Sequence, residues 1–462
     1  MDRVLNFLSD YAVSLHYEKL PRKVVHEVKR RIIDTLGCAM GCYYMDPPKF
    51  ARAHALEVVS TPGSTILGTR HRTAPEFAAF ANGVMARYLD FNDTTVKGGH
   101  PSDNIMPVLA AAEYAGASMQ TAIAGIVIAY EVQDRFGLVS RALRFNGWDM
   151  AIYVVIASAL GAAKVMGLNK EQMANALSLA AIPNAPMNQT KVGHLSMWKG
   201  CSAPNGARNG IFAAKMARLG LTGPGEAFDG PRGFKKQLGA QFDLPAFGGD
   251  GEPFTIESDK LKTYPCDYEA QCSITPALEL HKPLKGKLDD VVKIDVETYD
   301  NAVYVAADTR DKWNPTTRET ADHSIPYVVA VAMSQGTFWL NDFDEERVRD
   351  PKIHALMQKI EVRATEEFNK AWPEAYPFRI TVTTKSGEKH VTEVRYAKGH
   401  PKNPLSDQEI EAKFRRLVEP IMKRAQIDQA LSRLWHLEEM KGPREILSLF
   451  ELDTTTPHAD RS

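Results

Sequence analysis

Two stretches of this chain, Ala122–Tyr130 (AIAGIVIAY) and Val154–Ala163 (VVIASALGAA), are apolar on every side. A helix without a polar face has to be enclosed by other helices. The sequence around them supplies the enclosure. Val24–Met40, Pro75–Ala86, Ile105–Ala115, Gln120–Val139, Ala151–Met166 and Lys170–Ala181 are rich in Ala, Leu, Ile and Met. Their apolar positions recur at three and four residues, which predicts helix after helix. No run reaches the ~18 apolar residues needed to cross a bilayer, so a large helical bundle is expected and no membrane partner. Helices so poor in polar surface also predict a homodimer interface covering part of them.

The texture changes after about Lys262. Val291–Tyr299 and Ile360–Arg363 alternate as strands do, and Phe378–Thr384 with Lys389–Tyr396 reads as a β-hairpin across Lys385–Glu388. Helical stretches near Pro276–Leu284 and Ile325–Ser334 interrupt these strands. From Ser406 a capping box (SDQE) restarts the helical period. The expected architecture is therefore mainly α: an all-α domain from residues 1–263 and 404–462, with a smaller α+β lid domain, 264–403, inserted between.

A formal net charge of -1, from 56 basic and 57 acidic residues, argues against broad capture of nucleic acid. It leaves room for a local basic pocket. The start, MDRVLNFLSDYAVSLHYEKLP, fits neither a secretory nor a transit peptide. Five cysteines at irregular spacing, Cys38, Cys42, Cys201, Cys266 and Cys272, point to reduced thiols and a cytoplasmic location.

Three polar clusters interrupt the apolar pattern. Asp90–Ser102 (DFNDTTVKGGHPS) lies between two apolar helices and offers an acceptor, a hydroxyl and an imidazole in Asp90, Thr94 and His100. A solvated interhelical turn is an equal reading. Asp90, Asp93 and His100 are ligand types, but no second histidine and no calcium loop accompany them, so no metal is expected. In Lys191–Gly210, Lys199 stands among Trp198, Gly200 and small residues. Desolvation would lower its pKa toward the catalytic range, or a carboxylate would keep it charged. The alternative is a snorkelling lysine at a helix entry. In Trp313–Tyr327, Asp322, His323 and Tyr327 surround Pro326, with Ser324 as cap; His323 paired structurally with Asp322 is the plainer reading. Phosphate-loop, dinucleotide and serine-hydrolase signatures are absent.

Taken in order, several segments resemble the MmgE/PrpD family across roughly Leu8–Val418. These are Arg70…Asn82-Gly83, Asp90-Phe91-x-Asp93-Thr94…His100-Pro101, Lys199…Ala207-Arg208-Asn209-Gly210, Thr222-Gly223-Pro224, Tyr264-Pro265-Cys266 and Ala321-Asp322-His323-Ser324-x-Pro326-Tyr327. That resemblance implies a helical domain with an inserted α+β lid, a cleft between them, a homodimer, and no metal or organic cofactor. It places catalytic groups at Asp90, Thr94, His100, Lys199 and Tyr327, and substrate contacts at Asp149, Gln271 and His323. The family's decarboxylases carry histidine where Asp149 and Gln271 align, so the dehydratase branch is favoured, although Met150 also replaces an expected histidine.

The expected activity is a hydro-lyase dehydrating a 2-hydroxy tricarboxylate such as 2-methylcitrate or citrate. Such a reaction needs a base for the α-proton, an acid for the hydroxide, and cations for carboxylates and enediolate. Arg70 is a candidate carboxylate anchor, with a structural arginine as the equal alternative. Rival readings are an epimerase or decarboxylase of a related di- or tricarboxylate, and a non-catalytic paralogue.

Overall fold

The computed structural model describes residues 2–96, 99–139, 147–239 and 241–452. It is 57% helical and 9% strand, a mainly α fold. The 3.6-residue periodicity places the helices closely: Arg22–Gly41, Pro75–Tyr88, Ile105–Ala115, Met119–Val139, Ala151–Val165 and Lys170–Ala181. No helix among the described residues is long and apolar enough to cross a membrane.

Both all-apolar stretches are buried by the chain itself. They leave no free face for a partner, so the dimer expectation loses that motive. Packing this close demands small residues. The helix Ser202–Arg218 crosses Ala151–Val165 with Gly206 and Gly210 at the contact, where a Cβ would lie 2.9 Å from the Ala151 carbonyl oxygen and 2.6 Å from that of Val155. Close approach of these two backbones brings Lys199 and Ser202 against Asp149 and Ala151.

Besides a two-stranded ribbon, Ser64–Thr65 with Arg72–Thr73, the strands form a four-stranded sheet in the order Ile360–Ala364, Val291–Thr298, Phe378–Thr384, Lys389–Val394. Its first pair is parallel and the other two antiparallel. A parallel pair needs a long crossover, and residues 299–359 supply it, including the helix Ile325–Gln335. Ile294, Val296, Phe378, Ile380 and Val382 alternate inward, as the period of two requires.

Buried apolar residues fall into two main clusters. One draws on residues 4–261 and 405–452; the other runs from Cys266 to Ala397. The chain passes between them at two adjacent points, where Leu261 N donates to the Gly399 carbonyl at 3.1 Å. Gly399 has φ +92°, and a Cβ there would collide with the Leu261 carbonyl. Lys413, from the helix Asp407–Val418, ties these segments to the polar loop, donating to the carbonyls of Phe91 at 2.7 Å and Lys262 at 2.9 Å.

Candidate active site

The helix Pro75–Tyr88 ends into Asp90, the one described non-glycine residue with positive φ, at 51°. Aspartate tolerates this left-handed conformation better than most residues, and such strain recurs at functional sites. The turn aims the Asp90 carboxylate into a ring of buried cations. Its Oδ1 lies 2.5 Å from Lys262 Nζ and 3.1 Å from Arg87 Nη1, and its Oδ2 lies 3.2 Å from Lys199 Nζ. Lys262 also donates to the Asp90 carbonyl at 2.8 Å. Burial by itself would raise the Asp90 pKa, but Arg87, Lys262 and Lys199 together hold it well below the usual carboxylate range.

Lys199 bridges the two cores. Its ammonium meets Asp322 at 2.6 and 2.5 Å. Burial works to lower its pKa, yet Asp322 and Asp90 outweigh burial and raise it. Of the two fates open to this lysine, the carboxylates decide: it remains a cation and is no base. His323 Nδ1 sits 2.7 Å from Asp322 Oδ1, and its Nε2 sits 3.7 Å from Asp267 and 4.0 Å from Asp90.

His100 differs from every other group here. Burial first, then Arg87 and Lys262, lower its pKa well below the ordinary value, so the ring is neutral near pH 7. Its Nδ1 lies 2.6 Å from the Asp93 carbonyl, which can only accept. The proton therefore sits on Nδ1, and Nε2 presents a lone pair. Asp93 is itself held by Tyr130 Oη at 2.7 Å and by Ser102 N at 3.0 Å. The result is a neutral imidazole in a fixed tautomer, near Arg87 and Lys262, with its Nε2 3.5 Å from Asp90 Oδ1.

Of these groups Arg87, His100 and Lys199 open onto a small cavity, which Asp103, Asp149 and Lys191 also line, with Met150 and Ser202. Arg87 reaches the cavity wall while its Nη1 stays 3.1 Å from Asp90 Oδ1. Asp149 lies in the cavity wall, 3.1 Å from Lys191 Nζ.

Four expected site residues are engaged elsewhere. Arg70 is on the surface, its side chain 86% exposed and paired with Glu451, so it anchors no substrate at this cavity. The Tyr327 hydroxyl donates to the Asp342 carbonyl inside the second core. Thr94 donates to the Gly99 carbonyl at 3.1 Å and pairs backbone to backbone with Lys260, which shapes the loop. Gln271 Oε1 accepts from Thr263 N at 3.0 Å and Tyr264 N at 3.2 Å, closing the linker turn. Sequence reasoning missed Arg87, Asp103 and Lys262. Arg87 precedes Asp90 by three residues on one helix turn, and Asp103 follows His100 by three; that spacing was the available signal. Lys262 stands 172 positions from Asp90, and no local pattern points to it.

Asp90, Asp322 and His323 bring ligand-type atoms within 4.8 Å of one another. The donor set does not suit a metal ion. Both carboxylates are already held by Lys199 and Lys262, and a further cation would be placed among three buried ones.

The described residues form a mainly helical protein with a small cavity lined by buried cations and a neutral histidine. The chain belongs to the MmgE/PrpD family: residues 6–246 match the MmgE/PrpD N-terminal domain and residues 264–437 the C-terminal domain. It is 28% identical over 430 residues to a protein of Yarrowia lipolytica named 2-methylcitrate dehydratase, mitochondrial, covering 86% of this chain and 80% of that one. It is 27% identical to a 2-methylcitrate dehydratase of Salmonella typhimurium, covering 78% and 77%. It is also 26% identical to a human cis-aconitate decarboxylase, covering 96% and 94%.

Proposed function

We propose that this protein is an enzyme, a hydro-lyase that dehydrates a small 2-hydroxy tricarboxylate such as 2-methylcitrate or citrate. The observation that carries the reading is His100, a neutral base with a fixed tautomer, facing a cavity ringed by Arg87, Lys191 and Lys199. Cations of this kind bind carboxylates and stabilise the enediolate formed when the α-proton leaves. His100 Nε2 takes that proton. Asp90 keeps Arg87, Lys199 and Lys262 close together and charged. The names borne by relatives support the same chemistry. No metal or organic cofactor takes part in this scheme.

Asp149 and Gln271 favour dehydration over decarboxylation. Asp149 puts a carboxylate, not an imidazole, in the cavity wall, and Gln271 is turned into the linker. The test is a panel of 2-methylcitrate, citrate, isocitrate and cis-aconitate followed by alkene absorbance. Alkene should form from 2-methylcitrate or citrate. Carbon dioxide release from cis-aconitate, with no alkene from any hydroxy acid, would replace this reading by the decarboxylase.

The cavity has a volume of ≈ 10 Å³, room for about one water molecule. A tricarboxylate enters only if residues 264–403 swing outward as a lid, parting Asp322 from Lys199. Binding at micromolar concentration is proposed to occur in a homodimer, as the family resemblance implies. The face that supports it is not the buried pair of helices but residues 182–221. There Ile182, Met187, Trp198, Phe212 and Leu219 are 48, 70, 48, 55 and 79% exposed, and Met187 and Trp198 line a groove of ≈ 320 Å³ that shares Ala151 and Ser202 with the site. Light scattering should give twice the 51.3 kDa chain mass, and Trp198→Glu with Phe212→Glu should give a monomer. A wild-type monomer at that concentration would contradict the assembly. The reduced cysteines, four of five buried, fit the cytoplasm.

A further inference from the structure

The proposed dehydration leaves one role unfilled, the acid that protonates the departing hydroxide. Most proton-bearing groups near the cavity are already committed. Lys199 is held by Asp322 and Asp90, Lys191 by Asp149, the Thr94 hydroxyl by Gly99 and the Tyr327 hydroxyl by Asp342. Asp103 is different. It sits on the 3-10 turn Pro101–Asn104, with its N–H donating to the His100 carbonyl at 3.0 Å. At three residues per turn, positions i and i+3 eclipse, so His100 and Asp103 stand side by side, and both line the cavity.

We infer that Asp103 is the general acid of the elimination, donating its carboxyl proton to the leaving hydroxyl while His100 Nε2 removes the α-proton. This rests on the hydro-lyase reading. The α C–H bond breaks to His100, its electron pair forms the alkene, and the C–O bond breaks with the Asp103 proton to release water. Solvent then carries the proton from His100 back to Asp103, so no oxidant, reductant or co-reactant is needed.

Two carboxylates flank His100, Asp90 at 3.5 Å from its Nε2 and Asp103 in the cavity wall, and their surroundings are opposite. Asp90 is gripped by three cations. Asp103 is 5% exposed, accepts among the described residues only from Asn92 Nδ2 at 3.2 Å, and lies 3.9 Å from Arg87 Nε, beyond hydrogen-bond reach. The charges facing it are Arg87 from the helix Pro75–Tyr88, Asp93 in its own loop and Lys191 from the turn Asn188–Lys191. Burial, helped by Asp93 and opposed by Arg87 and Lys191, pushes its pKa up to about 7. A carboxyl separated from a partner carboxylate in this way is a recurring arrangement for acid catalysis.

The experiment compares the hydroxy acid with an analogue carrying fluoride in place of the hydroxyl, since fluoride departs without a proton. Asp103→Asn should lose at least about 10²-fold in turnover on the hydroxy acid and less than about 5-fold on the fluoro analogue. It should still exchange the substrate α-hydrogen with deuterated solvent. In the unaltered enzyme, turnover of the hydroxy acid should fall as pH rises through about 7, where Asp103 gives up its proton, while fluoride elimination does not. Equal losses on both substrates, or identical pH profiles for both, would overturn the assignment. The pH comparison uses the unaltered enzyme, so it decides the matter even where Asp103→Asn does not fold. Failure of the hydro-lyase reading looks different: the unaltered enzyme would then form no alkene from the hydroxy acid at any pH.

Discussion

Replacing His100 by asparagine should lower turnover by about 10²- to 10⁴-fold and abolish deuterium exchange at the substrate α-carbon. The asparagine amide nitrogen can occupy the place of Nδ1 and keep the hydrogen bond to the Asp93 carbonyl, 2.6 Å in the native loop. What it cannot supply is the Nε2 lone pair. Loop and fold should therefore survive while the base is lost. Substrate affinity should change little, because in the proposed scheme the carboxylates bind to Arg87, Lys191 and Lys199. Circular dichroism, KM and exchange measured on one preparation separate these outcomes. A folded His100→Asn protein that still exchanges the α-hydrogen at the native rate would remove His100 from the base role.

The second large effect is on stability. Asp90→Asn should destabilise the fold by about 3–5 kcal/mol, the range seen when one member of a buried ion pair is removed. Asparagine visits the left-handed region as readily as aspartate, so the φ of 51° adds no cost of its own. The loss is electrostatic: Arg87, Lys199 and Lys262, each at most 3% exposed, would repel one another without the anion between them. The pH dependence has a definite sign. Asp90 is held well below its ordinary pKa, so its contribution is full above the unfolded carboxylate pKa of ~3.9 and is lost as pH falls through the folded value. Urea titration at neutral pH measures the difference. A change under about 1 kcal/mol would show that Asp90 does not hold the cation ring together.

Helix periodicity carried most of the fold in this sequence. Ile105–Ala115, Lys170–Ala181 and Phe378–Thr384 begin and end where apolar spacing and turn residues place them, because each is governed by neighbours three or four residues away, or two in a strand. The Ser406 capping box and the Ser324 cap were legible for the same reason. Parallel pairing of Val291–Thr298 with Ile360–Ala364 was not, since no local pattern encodes a partner some 66 residues distant.

The site divides along the same line. Asp90, His100 and Lys199 were visible as polar residues in apolar settings. Their chemistry was not, because it depends on tertiary surroundings: Lys199, despite burial, stays charged through Asp322 and Asp90, and His100 stays neutral through burial and then Arg87 and Lys262. Family correspondence without geometry also placed Thr94, Gln271 and Tyr327 in the site, whereas hydrogen bonds to Gly99, Thr263 and Asp342 engage their side chains. Arg70 went astray for want of any structural constraint. Its charge suits a carboxylate, but its position offers only Glu451.

In the proposed reaction a tricarboxylate is held by the buried cations with its α-carbon presented to His100. The most direct measurement is a structure of the His100→Asn protein with 2-methylcitrate bound. It should show the substrate carboxylates on Arg87, Lys191 and Lys199, and Asp322 drawn away from its 2.5 Å contact with Lys199. The α-carbon should lie within about 3–3.5 Å of the point that Nε2 occupies in the native enzyme. A substrate bound elsewhere, or in this cleft with its α-carbon turned away from position 100, would contradict the account.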